Sequence, residues 1–305
     1  MNIECKHSKE LILRLEEEGC NIDFDDNSKI VFISDVHRGN GGYEDSLRLN
    51  ENIYKAALKY YYNEDYTLVE IGDGDELWKN KNIINIAYNY DDVFYLLNKF
   101  YNKHRLYMIY GNHDIIKKNP QFIVKQKKVY NKIRDNFPCE MINLYSKIKF
   151  YECVVLKYKP LNKNILAFHG HQVDTLNCEL WKISRFLVRH VWRFLEGVGG
   201  LKEPTSPASN YDKCGTIDKI LEKIAKKENK MIVCGHTHND RFPKPLEGLY
   251  FNDGCCVFPS AITAIEITHG KISLVKWKTE VDKNNSLYID KFITSGPENI
   301  SDYLS

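Results

Sequence analysis

The chain has 305 residues, enough for one large α/β unit with a sizeable core and an insertion. Its 43 Lys and Arg against 41 Asp and Glu leave a net charge of +2, which gives no global reason to expect a polyanion partner and leaves phosphate chemistry to a local site. Met1 to Lys9 lacks the pattern of a secretory leader, no stretch approaches the roughly 18 apolar residues of a membrane span, and the nine cysteines form no CxxC pair. The chain therefore reads as soluble and cytoplasmic, with reduced core thiols.

In chain order, Ser8 to Glu18 has leucines and charges at helical spacing and leads toward a first strand at Lys29 to Ser34, which ends in "DVHRGN". Asp45 to Tyr62 reads as a helix, and "YTLVEIGD" (66–73) as a buried strand ending in an acid. Ile83 to Tyr101 reads as a helix, "RLYMIYGNHD" (105–114) as a third apolar strand with a polar tip, and Pro120 to Asn136 as a further helix. Strand, polar tip and helix recur three times, the order of βα units in a largely parallel sheet that gathers functional groups at the carboxyl ends of its strands.

The second half reads differently. "FYECVVLKY" (150–158) and "NILAFHGH" (164–171) are β-rich runs close enough to be neighbouring strands. Cys178 to Glu196 has a helical pattern, and a Gly/Pro/Ser loop at 197–210 ends it, so about 175–210 is expected to be a helical cap or insertion in a single domain spanning 1–305. Thr216 to Glu228 reads as a helix returning to "KMIVCGHTHND" (230–240). The runs 248–254, 261–270 and 271–280 read as antiparallel strands, with His269-Gly270 as the turn between the last two, and the tail after Asp282 carries no pattern.

The strand tips read Asp35-Val36-His37, Gly72-Asp73, Gly111-Asn112-His113-Asp114, His169-Gly170-His171 and Gly235-His236-Thr237-His238, and six of the ten histidines lie in them. Their oxygens and imidazole nitrogens suit Mn, Fe, Zn, Co or Mg rather than a soft thiolate site. Two Asp, one Asn and four His exceed what one tetrahedral ion takes but suffice for two divalent ions bridged by a shared carboxylate.

The ordered set DxH, GDxxE, GNHD, a lone His and GHxH, spanning Asp35 to His238, resembles the calcineurin-like metallophosphoesterase family. The resemblance implies a four-layer αββα sandwich of the α/β (α+β) class. It also implies that Asp35, His37 and His238 hold one ion, that Asn112, His169 and His236 hold the other, and that Asp73 bridges them. His113 is then the general acid, oriented by Glu76, with Asp114 as the competing choice. Two ions, manganese favoured, about 3.5–4 Å apart can acidify a bridging water, and attack of the hydroxide on phosphorus expels an oxygen that a positioned imidazole protonates.

Arg38 and Arg241 lie beside ligand-bearing tips and are candidate phosphate contacts, or exposed arginines with no catalytic part. His171 stands where some relatives have the acid of HGD, and is substrate-facing, a support for the ligands, or structural. Arg185, Arg189 and Arg193 share a face of the expected cap helix, an arginine row that suits substrate recognition. Lys117 to Arg134 holds seven basic and no acidic residues; a solvated helix face is the preferred reading, and steering of a nucleic acid the alternative.

The signature GDxVDRG of protein Ser/Thr phosphatases is absent. "GDGDELW", followed by an H-G segment and a cap, is similar instead to the UDP-2,3-diacylglucosamine diphosphatase branch. The chain departs from that branch in having His113 where an arginine is common and His169-Gly170-His171 in place of HGD. The expected function is hydrolysis of a phosphate ester or pyrophosphate bond in a phosphorylated small molecule or nucleotide-type substrate. A nuclease and a non-catalytic metallo-scaffold are the alternatives.

Overall fold

Strands bury alternate side chains on opposite faces, and in this chain both faces of most strands are apolar. A sheet built from them must be covered on each side. The computed structural model describes residues 3–133, 139–174 and 211–304, so the expected cap over 175–210, with Arg185, Arg189 and Arg193, lies outside the described residues.

In chain order the strands are β1 (Cys20–Phe24), β2 (Ile30–Ile33), β3 (Thr67–Ile71), β4 (Leu106–Ile109), β5 (Phe150–Tyr151), β6 (Cys153–Tyr158), β7 (Lys163–Phe168), β8 (Met231–Cys234), β9 (Tyr250–Asn252), β10 (Ala261–Thr268), β11 (Lys271–Val281) and β12 (Leu287–Asn299). The helices are α1 (Ile3–Glu18), α2 (Glu51–Asn63), α3 (Ile84–Asn89), α4 (Asp91–Asn102), α5 (Pro120–Ile133), α6 (Glu140–Tyr145), α7 (Tyr211–Glu228) and α8 (Ser301–Leu304). Among the described residues, one sheet has the order β12-β11-β10-β2-β3-β4-β5 and the other β1-β6-β7-β8-β9.

Alternation assigns the layers. Ile30, Phe32, Val69, Ile71 and Ile109 of the first sheet meet Val154, Leu156, Ile165, Ala167, Met231 and Val233 of the second in the layer between the sheets. The opposite faces are covered by helices. Val31, Ile33, Leu68 and Met108 pack under Tyr54, Leu58 and Tyr61 of α2 and Phe94, Leu97 and Phe100 of α4. Val155, Leu166, Phe168 and Ile232 pack under Ile12 and Leu15 of α1 and Leu221, Ile224 and Ala225 of α7. The result is the αββα order expected. Each large side chain so buried contributes about 1.5–3 kcal/mol. Among the described residues no helix is long and apolar enough to cross a membrane.

Several elements differ from the sequence reading. A strand, β1, lies between α1 and β2 and pairs in parallel with β6. The 150–158 run is not one strand: β5 pairs with β4, β6 pairs with β7, and the chain changes sheets at Glu152. The Glu152 carboxylate accepts two hydrogen bonds from Arg14, at 2.7 and 2.9 Å, and one from the Tyr110 hydroxyl at 3.2 Å. The patternless tail forms β12, which pairs antiparallel with β11. The expected turn is present, with His269 at φ 53° and Gly270 at φ 67°, both signs positive as a tight hairpin between twisted strands requires.

This topology positions the site. β2, β3 and β4 run parallel, as do β7 and β8, so their carboxyl tips emerge at common edges. Backbone bonds then tie the tips together: Asp35 N–H donates to Gly72 O, His37 N–H to Asp73 O, Gly235 N–H to His169 O and Cys256 N–H to Asp35 O.

Candidate metal centre

Asp35 and His37 would share a face if β2 continued, and the chain leaves strand geometry there instead. Asp35 (φ 50°), His37 (φ 50°), Asp73 (φ 51°), His236 (φ 70°) and His238 (φ 56°) all occupy the left-handed region. That conformation costs an L-residue roughly 1–2 kcal/mol, and Asp and His are among the types that tolerate it best. Five of the thirteen left-handed non-glycine residues among those described fall on these tips, where such strain accompanies a functional constraint. Close approach of the tips adds a second restriction: at Gly72 (φ 82°) a Cβ would lie 2.7 Å from Gly111 N and 2.8 Å from His169 Cγ.

The seven expected ligands fall into two groups, and a third cluster, His37 with Glu76 and His113, adjoins the first. In the first, Asp35 Oδ1 lies 3.0 Å from His238 Nε2 and 3.7 Å from His37 Nε2. In the second, His169 Nε2 lies 3.2 Å from both Asp73 Oδ2 and Asn112 Oδ1, and His236 completes the group with Asp73 and His169. Asp73 Oδ2 also faces the first group, 3.9 Å from His37 Nε2. All of these side chains are buried.

Each carboxylate spends one oxygen on the protein and turns the other to the cluster. Asp35 Oδ2 accepts from His236 N–H at 2.8 Å and from the Ser34 hydroxyl at 2.5 Å, and Asp73 Oδ1 accepts from His113 N–H at 2.8 Å. His169 Nδ1 donates to Ile71 O at 2.8 Å, which keeps a proton on Nδ1 and points Nε2 at the oxygens of Asp73 and Asn112. A ring whose other nitrogen is tied to a backbone carbonyl is the usual state of a metal-binding histidine. Asp35 Oδ1, His37 Nε2 and His236 Nε2 are buried with no hydrogen-bond partner, an arrangement that a cation among them would satisfy. The donor set therefore fits divalent metal ions.

The electrostatics agree. Burial pushes the Asp35 and Asp73 carboxyls up, yet the surrounding imidazoles hold both well below the usual carboxylate range. Burial pushes His169 and His238 down, but Asp73 and Asp35 outweigh it and raise them to about 9 and about 10. Excess lone pairs at short range thus attract positive charge. Behind Asp35, Ser34 Oγ also lies 2.6 Å from Asp253 Oδ1. Burial drives the Asp253 carboxyl well up, against the Ser34 hydroxyl that bridges it to Asp35.

His113 sits beside this cluster, its ring 4.7 Å from that of His37. Its Nδ1 lies 2.9 and 3.0 Å from the two Glu76 oxygens. Burial raises Glu76, but His113 and His37 bring it well below the usual range, so it is a carboxylate, and the other His113 nitrogen, Nε2, is left for chemistry. The Trp78 indole stacks on the ring at 4.2 Å and 16°, and its Nε1 donates to Asn112 O at 2.7 Å.

Other sequence candidates go elsewhere. Arg38 is fully buried and cannot meet a phosphate: it forms a fork with Glu70 at 2.7 and 2.8 Å and donates from Nε to Asp75 at 2.8 Å. Asp114 does not orient His113; it accepts from Lys117 at 2.6 Å and from Gly111 N–H at 2.7 Å. Lys117, from the basic run, is therefore turned inward. Arg241 pairs with Asp218 at 3.1 Å. His171 is drawn to the cluster, its ring 5.4 Å from that of His169 and its buried Nδ1 without a partner. Ser34, Trp78 and Asp253 were missed by the sequence reading. Trp78 stood close to a quoted motif, whereas nothing local marked Asp253.

The family model for the calcineurin-like phosphoesterase matches residues 28–240. Among solved structures, Vps29 of Chaetomium thermophilum is similar at 9% identity over 88% of this chain and 99% of that one, with a TM-score of 0.37. A putative 5'-nucleotidase from Staphylococcus aureus, in complex with alpha-ketoglutarate, is similar at 11% identity over 90% of this chain and 55% of that one, with a TM-score of 0.32. No curated protein gives a significant match. The family match runs over every ligand-bearing tip, and the chain belongs to the calcineurin-like phosphoesterase family.

Proposed function

We propose that the chain hydrolyses a phosphate ester or pyrophosphate bond of a small-molecule or nucleotide-type substrate at a two-ion centre. Family membership implies metal-dependent phosphoester hydrolysis. The observation that carries the two-ion reading is Asp73 Oδ2, which faces His169 Nε2 at 3.2 Å and His37 Nε2 at 3.9 Å and so belongs to both donor groups. Asp35, His37 and His238 would hold one ion and Asn112, His169 and His236 the other, with Asp73 shared. When bound, such ions, manganese favoured, neutralise phosphoryl charge and acidify water.

The residues then have distinct tasks. The carboxylates, anchored through one oxygen each, keep the ligand positions fixed as charge changes during turnover. His113 Nε2 donates its proton to the leaving oxygen, and Glu76 holds the ring through Nδ1. His113 stands where the UDP-2,3-diacylglucosamine diphosphatase branch commonly has an arginine. A proton donor there favours phosphate esters that leave as alkoxides, and the likeness of "GDGDELW" to that branch keeps nucleotide diphosphate conjugates, whose leaving group is a phosphate, as a second substrate class. The burial of Lys117 weakens the motive for a nuclease. Cytoplasmic residence stays part of this reading, supported by Cys20, Cys139, Cys153, Cys234, Cys255 and Cys256, all unpaired.

The test is a manganese-supplemented screen of phosphomonoesters, phosphodiesters and nucleotide diphosphate conjugates. Turnover of a monoester or conjugate is expected. Cleavage confined to DNA or RNA would transfer the assignment to a nuclease, and no hydrolysis by metal-loaded protein would leave a scaffold.

A further inference from the structure

We infer that Glu76 is a positioning residue for a metal ligand as well as for the proton donor: its one carboxylate holds the His37 ring, which faces the first ion position, together with the His113 ring. The inference rests on the two-ion reading and adds a role for Glu76 that the ordered motifs do not assign.

The backbone sets the two rings against this carboxylate. His37 N–H donates to Asp73 O, Arg38 N–H to Gly74 O and Glu76 N–H to Arg38 O, so the segments after β2 and β3 stay paired beyond the strand ends. Glu76 is buried there. Its Oε1 accepts from the backbone N–H groups of Trp78 at 3.1 Å and Lys79 at 3.2 Å, which anchors the carboxylate. Its Oε2 is turned to the rings, 2.9 Å from His113 Nδ1 and 3.4 Å from His37 Nδ1. One nitrogen or oxygen of each of His37, Glu76 and His113 lies within 4.8 Å of the others.

The opposite side of the His37 ring gives this contact its consequence. Nε2 lies 3.7 Å from Asp35 Oδ1 and 3.9 Å from Asp73 Oδ2, and is buried with no hydrogen-bond partner. A carboxylate only accepts, so Oε2 keeps a proton on Nδ1 and leaves Nε2 as the atom turned to the first ion position. Carboxylate, imidazole and ion in sequence is the arrangement that orients a metal-binding histidine and strengthens it as a ligand. The same oxygen meets His113, so metal retention and orientation of the acid share one group.

Replacement by an amide separates the two roles. Glutamine has one accepting oxygen and a donating NH2 group. The N–H groups of Trp78 and Lys79 select the oxygen for the Oε1 position, which is 3.0 Å from His113 Nδ1, and this puts NH2 at the Oε2 position against His37 Nδ1. His113 keeps an acceptor. His37 meets a donor, and its ring proton is driven to Nε2, the nitrogen that the ion needs.

The experiment compares wild type and Glu76→Gln. Manganese content is read by mass spectrometry after dialysis against graded chelator, and ion positions by anomalous scattering from manganese-loaded crystals of both proteins. The His37 tautomer is read by nitrogen-15 NMR of the zinc-loaded wild type. Wild type should hold two ions, with His37 Nε2 bonded to one of them and its Nδ1–H donating to Glu76 at about 2.7–3.2 Å. Glu76→Gln should release the ion next to His37 about 10- to 100-fold more readily, the usual effect of losing such a supporting contact, and keep the ion next to His169. Two ions held by Glu76→Gln with wild-type affinity, or both lost in equal measure, would overturn the inference. So would a wild type whose His37 carries no proton on Nδ1, holds Nδ1 beyond about 3.5 Å from Glu76, or faces a further ion seated among His37, Glu76 and His113. Each of these results leaves the two-ion reading intact, whereas a wild type that binds fewer than two ions would overturn both. The wild-type measurements do not depend on the folding of the variant.

Discussion

Trp78 lies flat on the His113 imidazole, with 4.2 Å between ring centroids and 16° between planes, and at the same time donates from Nε1 to the carbonyl of Asn112. One side chain thereby fixes both the ring that is to donate a proton and the peptide that presents a ligand. Trp78→Phe keeps a stacking face but loses the hydrogen bond. It should lower kcat by about tenfold to a hundredfold, since small misplacements of reacting groups carry penalties of that order, with metal content unchanged. Loss of metal with an unchanged kcat per bound ion would show that Trp78 serves the ligand and not the acid.

His113→Ala should retain metal and slow hydrolysis of alkyl phosphates by about 10² to 10⁴, the usual worth of positioned general acid catalysis. Aryl esters with good leaving groups need little protonation and should lose far less. Glu76→Gln should fall between, because the ring keeps a partner but loses the two-oxygen contact that orients it. A series of leaving groups of graded pKa measures this, and equal losses across the series would count against proton donation by His113.

Arg38 supports the fold. Its guanidinium is sealed under the centre with Glu70, Asp75 and the Tyr54 hydroxyl, and lies over the Phe94 ring. Arg38→Met should destabilise by about 3–5 kcal/mol, because Glu70 is left as an uncompensated buried charge, whereas Asp75 keeps Lys117 at 2.8 Å. Urea denaturation would read this as a lower midpoint. Unchanged stability together with a raised KM would instead restore the phosphate contact expected from its place in the sequence.

Glu152, where the chain changes sheets, gives a pH-dependent term. Burial raises its carboxyl, but the Arg14 fork and the Tyr110 hydroxyl hold it below its ordinary value. A carboxyl with a depressed folded pKa adds stability above its unfolded value of about 4.3, and that stability is lost as pH falls through the folded value. The Arg14 side chain is 41% exposed, so solvent screening limits the gain to about 1 kcal/mol or less. Glu152→Gln should therefore melt earlier than wild type at pH 7 and converge with it below about pH 4. A difference that widens in acid would reverse the assigned sign.

The sequence exposed the centre more fully than the fold around it. Metal ligands must be particular residue types in a fixed order, so Asp35, His37, Asp73, Asn112, His169, His236 and His238 were legible as motifs. Positions set by long-range pairing left no such mark. The 150–158 run reads as one strand because both halves are apolar, yet its division depends on partners β4, β1 and β7 and on Arg14, far away in sequence. β12 was invisible because an edge strand faces solvent and lacks a clean alternation. Arg38 was misread since an arginine beside a ligand tip looks the same whether it points to solvent or inward, and only Glu70 and Asp75 decide. Asp253 reaches the centre through a turn whose geometry composition does not announce.

Steady-state hydrolysis of p-nitrophenyl phosphate by manganese-loaded wild type and Asp73→Asn, with bound metal assayed in the same samples, examines the shared carboxylate itself. Asp73 Oδ2 stands between both donor groups, so its replacement should remove activity and at least one ion together. An Asp73→Asn protein that keeps two ions and wild-type turnover, or a wild type that is inert with both ions bound, would contradict hydrolysis at this centre.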